Sequence, residues 1–359
     1  MLDGTTLFGL VARAAPRALL ALSIGLGTLA GFASCRTRPI DAADPSGSNP
    51  DGTSVVVDLG QSHDPHPVDI LIVYSSENGT DSLRQRIRDA APKLFAGLAN
   101  VSDWHIGIVS ADVGVGRSNV NNCSRTGDGG RLNPTQSPCN MQIPSFLAGS
   151  GSKPTNFSGD PAKVFAGCYV GEQPPVGCPY QQPWNAVIQA LSLTTNPGFL
   201  RPDSNLGILF VVDTEDCSVP ANTNLFSNQI MLPDGPARCF ALGTVCMPAF
   251  TGAGTYSGCQ IVPDTGALLG ASEITKAILG AAPIHSVHVG ILGGVTRDVT
   301  IHRDGSLDSV CDEGAGDQAF PTARLDGFSF DSDISLSASS SVCAPYDATF
   351  ATLIKQVTP

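Results

Sequence analysis

The chain changes hydrophobic period several times, and each change marks an element. Residues Val68–Tyr74, VDILIVY, form a nearly continuous apolar run, as expected of a strand covered on both faces. The run stops in SSENGT, a loop without a hydrophobe. From Asp81 to Ala99 the spacing becomes helical, with Leu83, Ile87, Leu94 and Leu98 on one stripe and Pro92 as a possible kink. Asp103–Gly114 reads as a second strand with Trp104, Ile106 and Ile108 on one face. Pro183–Leu193 predicts a short helix opened by proline. Asn205–Ser218 predicts a buried strand running into an acidic loop. A helix over Thr265–Ala281, a strand over His285–Gly294 and a helix over Tyr346–Lys355 complete the pattern. Strands alternating with helices predict an α/β fold with a mostly parallel sheet and helices on both faces. The connections at about 112–182 and 219–264 are rich in Gly, Pro, Asn and Cys. Loops that long order themselves only when cross-linked.

The amino-terminal region changes the picture. Arg13 and Arg17 precede an apolar stretch, Ala18–Ala33, that ends at Cys35, the pattern of a secretory signal over 1–34. The stretch is shorter than the roughly 20 residues of a spanning helix. Its end, FASC, resembles a bacterial lipobox, although Phe32 stands where leucine is usual. That resemblance implies that Cys35 is the lipidated first residue of the mature chain. Residues 35–66 are dominated by Pro, Gly, Ser and Asp and predict a flexible tether, leaving 67–359 as one domain. His63 and His66 are read as solvated tether residues.

Of eleven cysteines, ten remain once Cys35 is set aside: Cys123, Cys139, Cys168, Cys178, Cys217, Cys239, Cys246, Cys259, Cys311 and Cys343. An even number in an exported chain predicts up to five disulfides. The short spacings Cys123/Cys139, Cys168/Cys178 and Cys239/Cys246 suggest local loops. No C-x-x-C pair occurs, so a cysteine-ligated zinc site is not expected.

A net charge of −12 argues against a nucleic-acid partner. The chain has no G-x-S-x-G, no H-E-x-x-H and no phosphate-binding G-x-x-x-x-G-K-[ST]. His285 and His288, three apart on a strand, face opposite sides; His105 and His302 are isolated. Nothing here assembles a nucleophile, base and oxyanion site, so the sequence does not point to an enzyme.

The ordered series VDILIVYSSENGT, DWHIGIVSADVG, GCPYQQPWNAVIQAL, GFLRPDSNLGILFVVDTEDCS, RCFALGTVC and VHVGILGG, with the closing FPTARLDGFSFDSD and SVCAPYDATFATLI, resembles the von Willebrand factor type A domain. The likeness is to a divergent form found in predicted lipoproteins of Gram-negative bacteria. It implies a sheet-end metal site built on D-x-S-x-S, a later threonine and a later aspartate. In this chain the positions of D-x-S-x-S hold Ser75, Glu77 and Gly79, and Asp213 matches the last aspartate. The resemblance therefore implies a degenerate site and no cofactor. The alternative is Ca²⁺ or Mg²⁺ held by a site rebuilt from Glu77, Asp213 and Glu215. Ser75, Ser76, Glu77 and Asn78 are then the expected binding loop. The expected function is interaction with a protein or a surface glycan by an exported domain that touches the membrane only through its lipid. Arg36, in place of the aspartate that retains such lipoproteins in the inner membrane, favours the outer membrane. The alternatives are an exported hydrolase of unrecognised type and a purely structural envelope component.

Overall fold

The computed structural model describes residues 66–76, 81–132, 143–170, 177–221, 223–227, 235–263, 265–296, 298–303, 306–312, 318–328 and 333–358. The chain divides into two compact units, Met1–Gln61 and Ser62–Pro359, and the described residues belong to the second. The expected signal segment, Cys35 and all of the expected tether but His66 lie outside the described residues, as do Glu77, Asn78, Gly79 and Cys139.

The order is β1 (Val68–Tyr74), α1 (Asp81–Gly97), β2 (Trp104–Ser110), β3 (Leu147–Ser150), β4 (Lys153–Pro154) and α2 (Pro161–Val164), which passes into a π-helical turn, Phe165–Tyr169. Then follow α3 (Pro183–Ala190), β5 (Asn205–Val211), α4 (Pro236–Gly243), β6 (Thr244–Met247), β7 (Gly254–Ile261), α5 (Ala271–Leu279) and β8 (Ser286–Gly293). The chain ends with β9 (Val299–Ile301), β10 (Cys311–Asp312), β11 (Gln318–Ala319), α6 (Ala323–Gly327), β12 (Ile334–Ser341) and α7 (Asp347–Val357).

Seven strands form the main sheet in the order β12-β8-β5-β1-β2-β3-β4. β12, β8, β5, β1 and β2 run parallel, and β3 and β4 continue antiparallel at one edge. β1 is central, and all seven of its residues are buried, which explains its unbroken apolar run. Its alternate side chains feed two cores. Val68, Ile70, Ile72 and Tyr74 pack with Ile87 and Leu94 of α1 and with Phe350, Leu353 and Val357 of α7. Leu71 and Val73 face the other way, toward Trp184 and Val187 of α3 and Ile274 and Ile278 of α5. Trp104, Ile106 and Ile108 share the first core, as their alternation predicts. Helices α1 and α7 approach closely at Gly97, where a Cβ would stand 2.6 Å from Ile354 Cγ2. The helix predicted from Asp81 runs through Pro92 to Gly97.

Asp69 is the exception within β1. Its carboxylate is fully buried and receives the Arg201 amide at 2.8 Å and the Arg201 guanidinium at 2.7 and 2.9 Å. Paired and hydrogen-bonded in this way, a buried charge is tolerated.

The long connections carry structure of their own. The first contains β3, β4 and α2; the second contains α4 and the β6–β7 hairpin, which joins β9 in a three-stranded sheet. Among the described residues four disulfides are formed: Cys123–Cys178, Cys217–Cys239, Cys246–Cys259 and Cys311–Cys343. Cys168 is also disulfide-bonded. The pairing corrects the expectation from short spacings: Cys123, Cys178, Cys239 and Cys246 each bond a partner other than the one suggested. Cys123 and Cys178 meet because the two ends of the first long connection come together before α3, whereas Cys246 bonds Cys259 across the β6–β7 hairpin.

Candidate functional site at the carboxyl end of the sheet

The chain leaves β1 for β2 on one side, and β5 then lies on the other side of β1. Such a reversal opens a crevice at the carboxyl ends of the strands, where open α/β sheets bind ligands. The loops expected to form the site meet there. Ser75 is fully buried; its amide donates to the Val211 carbonyl at 3.0 Å, and its hydroxyl accepts from the Asp213 amide at 3.2 Å. The Ser76 amide donates to Gln181 Oε1 at 3.1 Å. Gln181 itself donates through Nε2 to the Cys178 carbonyl at 2.6 Å, and its carbonyl accepts from the Cys217 amide at 2.8 Å. The start of the loop is thus latched to β5 and to two disulfide cysteines. Glu77 and Asn78, its outer part, lie outside the described residues.

The acidic run after β5 is folded inward. Asp213 is buried, and its carbonyl accepts from the Phe320 amide at 2.7 Å. Glu215 is fully buried; its Oε1 accepts from the Asp216 amide at 2.9 Å and the Arg324 amide at 3.1 Å, so the side chain is turned toward α6. Asp216 Oδ2 faces Arg324 Nε and Nη2, both at 3.2 Å, and its Oδ1 accepts from the Ser218 amide and hydroxyl at 3.1 and 2.6 Å. The guanidinium also donates to the Leu269 carbonyl at 2.8 Å and lies 5.0 Å from the centre of the Phe328 ring. Sequence reasoning missed Arg324, because nothing local marks an arginine whose acid partner lies 108 positions away.

Burial pushes the Glu215 carboxyl up to about 8; the Asp216 amide, the Arg324 charge and the Arg324 amide oppose the rise, while the Asp216 charge adds to it. The folded protein thus holds a proton on Glu215 that the unfolded chain releases near 4.5. Glu215 therefore contributes stability that is complete at low pH and is lost as pH rises between these values, at up to roughly 1.4 kcal/mol per pH unit. Glu215→Gln mimics the neutral acid. Urea unfolding from pH 5 to pH 8.5 should show the variant gaining on the wild type as pH rises, and a difference constant with pH would refute the assignment.

The loops around this crevice form a stapled crown. Cys123 follows β2, Cys178 precedes α3, Cys217 follows β5 and Cys343 follows β12. Beneath the first two staples Val115, Cys178, Tyr180, Cys217, Phe226, Cys239 and Leu268 make a satellite core. A groove of about 280 Å³ opens beside it, lined among others by Arg117, Arg125, Gln182, Asn185 and Phe226. Of the three carboxylates proposed for a rebuilt metal site, Glu77 lies outside the described residues, Glu215 accepts from backbone amides at α6, and Asp213 is buried, its amide bonded to the Ser75 hydroxyl.

No family model matches the chain, and no curated protein matches it. The fold and the site define the class directly: a disulfide-rich α/β domain whose parallel sheet carries a cross-linked loop crown at its carboxyl end.

Proposed function

We propose that the protein is an exported, lipid-anchored interaction module of the von Willebrand factor type A kind, which presents its loop crown to a protein or surface glycan. The observation that carries this reading is the position of the staples. They lie on connections that follow the carboxyl ends of the parallel strands, where they cross-link the loops. Disulfides form in oxidising compartments, which fits a domain held outside the cytoplasm by acylated Cys35, in the outer membrane. No helix among the described residues is long and apolar enough to cross a membrane. With Ser75 and Gly79 at two ligand positions of the family's metal site, contact at the crown rests on hydrogen bonds and shape.

A photocrosslinking residue placed at Asn121, exposed in the stapled loop after β2, should capture a discrete partner in intact cells. The same residue at Asn100, exposed before β2, should not, and EDTA should leave the Asn121 yield unchanged. Equal capture at both positions, or none at Asn121, would count against the crown as the contact face. Loss of capture in EDTA would restore a metal to it.

A further inference from the structure

We propose that His66, Asp203 and His285 form a binding site for one divalent transition-metal ion of the zinc class. The three residues stand at the starts of adjacent strands: His66 precedes β1, Asp203 precedes β5 and His285 precedes β8. The segments that carry them are tied by backbone. The Asn205 amide donates to the Pro67 carbonyl at 2.8 Å, the His285 amide to the Ser204 carbonyl at 2.9 Å and the Asp203 amide to the Pro283 carbonyl at 2.6 Å. Asp203 adopts φ of 60°, a left-handed conformation that aspartate tolerates better than most residues. The site is therefore mounted on the sheet rather than on loose chain.

The side chains converge. His66 Nδ1 lies 3.1 Å from Asp203 Oδ2, and His285 Nδ1 lies 3.7 Å from Asp203 Oδ1. One ligand atom from each residue falls within 4.8 Å of the others. Zinc bonds imidazole nitrogen and carboxylate oxygen at about 2.0–2.2 Å, which places neighbouring ligands of a tetrahedral ion roughly 3.3 Å apart. His66 Nδ1 stands close to that separation from Asp203 Oδ2, while the 3.7 Å of His285 Nδ1 is to the other oxygen, Oδ1. Two imidazoles and one carboxylate suit a borderline ion better than Mg²⁺ or Ca²⁺, which prefer oxygen, and they leave a fourth position for water.

A surface ion pair is the simpler reading of such a group, and the protein contains one for comparison. His302 and Asp308 stand 2.6 Å apart, with one imidazole and one acid. The cluster at the strand starts differs by its second ring. The His66 and His285 imidazoles stack with centroids 3.6 Å apart and planes 19° from parallel. The second ring supplies a third ligand atom, which the His302–Asp308 pair lacks. Bound there, the ion would clasp residue 66, where the domain begins, to the segments before β5 and β8. This end of the sheet is opposite the crown, so the proposal is independent of the interaction reading.

The test uses the purified, oxidised full chain without an affinity tag. Zn²⁺ titrated against a chromophoric chelator should bind one ion per chain with a Kd at or below about 10 μM. His66→Ala and His285→Ala should each weaken binding about 100-fold or more, Asp203→Asn should also weaken it, and His302→Ala should leave it unchanged. Co²⁺ should give tetrahedral visible absorption bands in the wild type that the His285→Ala variant lacks. Zn²⁺ should raise the melting temperature of the wild type and not that of His66→Ala. Unchanged urea midpoints of the metal-free variants would show that the loss is not unfolding, and His285→Asn serves if the alanine variant is unstable. Binding weaker than about 100 μM, or binding that survives both histidine substitutions, overturns the site.

Discussion

Replacing Arg324 by leucine is expected to destabilise the protein by about 3–5 kcal/mol, a large share of what a domain of this kind possesses. Arg324 and Asp216 are both essentially inaccessible to water. Removing the guanidinium leaves the Asp216 carboxylate buried and uncompensated, with only the Ser218 amide and hydroxyl to hold it. It also strips the donor from the Leu269 carbonyl and empties space against Gly243, where a Cβ would stand 2.3 Å from Arg324 Cδ. The single variant is more damaging than the pair, because most of the loss is the penalty of the abandoned charge. Arg324→Leu combined with Asp216→Asn should therefore recover part of it. Urea unfolding with disulfides intact reads both effects. A single-variant loss below about 1 kcal/mol, or a double variant no more stable than the single, would show that the pair does not organise the crown.

The second large effect is expected from the staple Cys123–Cys178, which spans 55 positions. In the chain-entropy account, closing a loop of that length in the unfolded state contributes about 4 kcal/mol, against about 3 kcal/mol for the 22 positions of Cys217–Cys239. Both staples border the same satellite core, so losing either also loosens packing around Tyr180 and Phe226. Paired Cys→Ala substitutions, followed by thermal unfolding, should lower the midpoint in both variants, more for Cys123/Cys178. Variants that melt with the wild type would mean that the satellite core orders these loops unaided.

Much of the framework was legible because its signals are local. Val68–Tyr74 reads as a doubly covered strand from seven successive residues, and its limits are those of β1. The spacing of Leu83, Ile87 and Leu94 reports the buried stripe of α1, and the strand within Asn205–Ser218 is β5. Each such segment declares its own environment through the faces it must bury. β12, ISLSASSS, did not: it is an edge strand paired on one side with β8, and its serines give no apolar period. Edge positions demand little burial, so the sequence there has little to say.

The site divides along the same line. Ser75, Ser76 and Asp213 were visible as polar residues closing buried strands, because the end of an apolar run is itself a local feature. The role of Glu215 was not visible. A glutamate in an acidic loop reads as solvated, and only the packing of α6 against that loop makes it a buried acid holding a proton. The disulfide partners, the Asp216–Arg324 pair and the meeting of His66 with Asp203 across 137 positions also belong to the tertiary structure. By itself the sequence determined which segments become strands and helices, since burial of one face writes a repeating pattern into adjacent residues. Which distant side chains touch was decided only when parallel strands aligned their ends, because a contact between two single residues leaves no period along the chain.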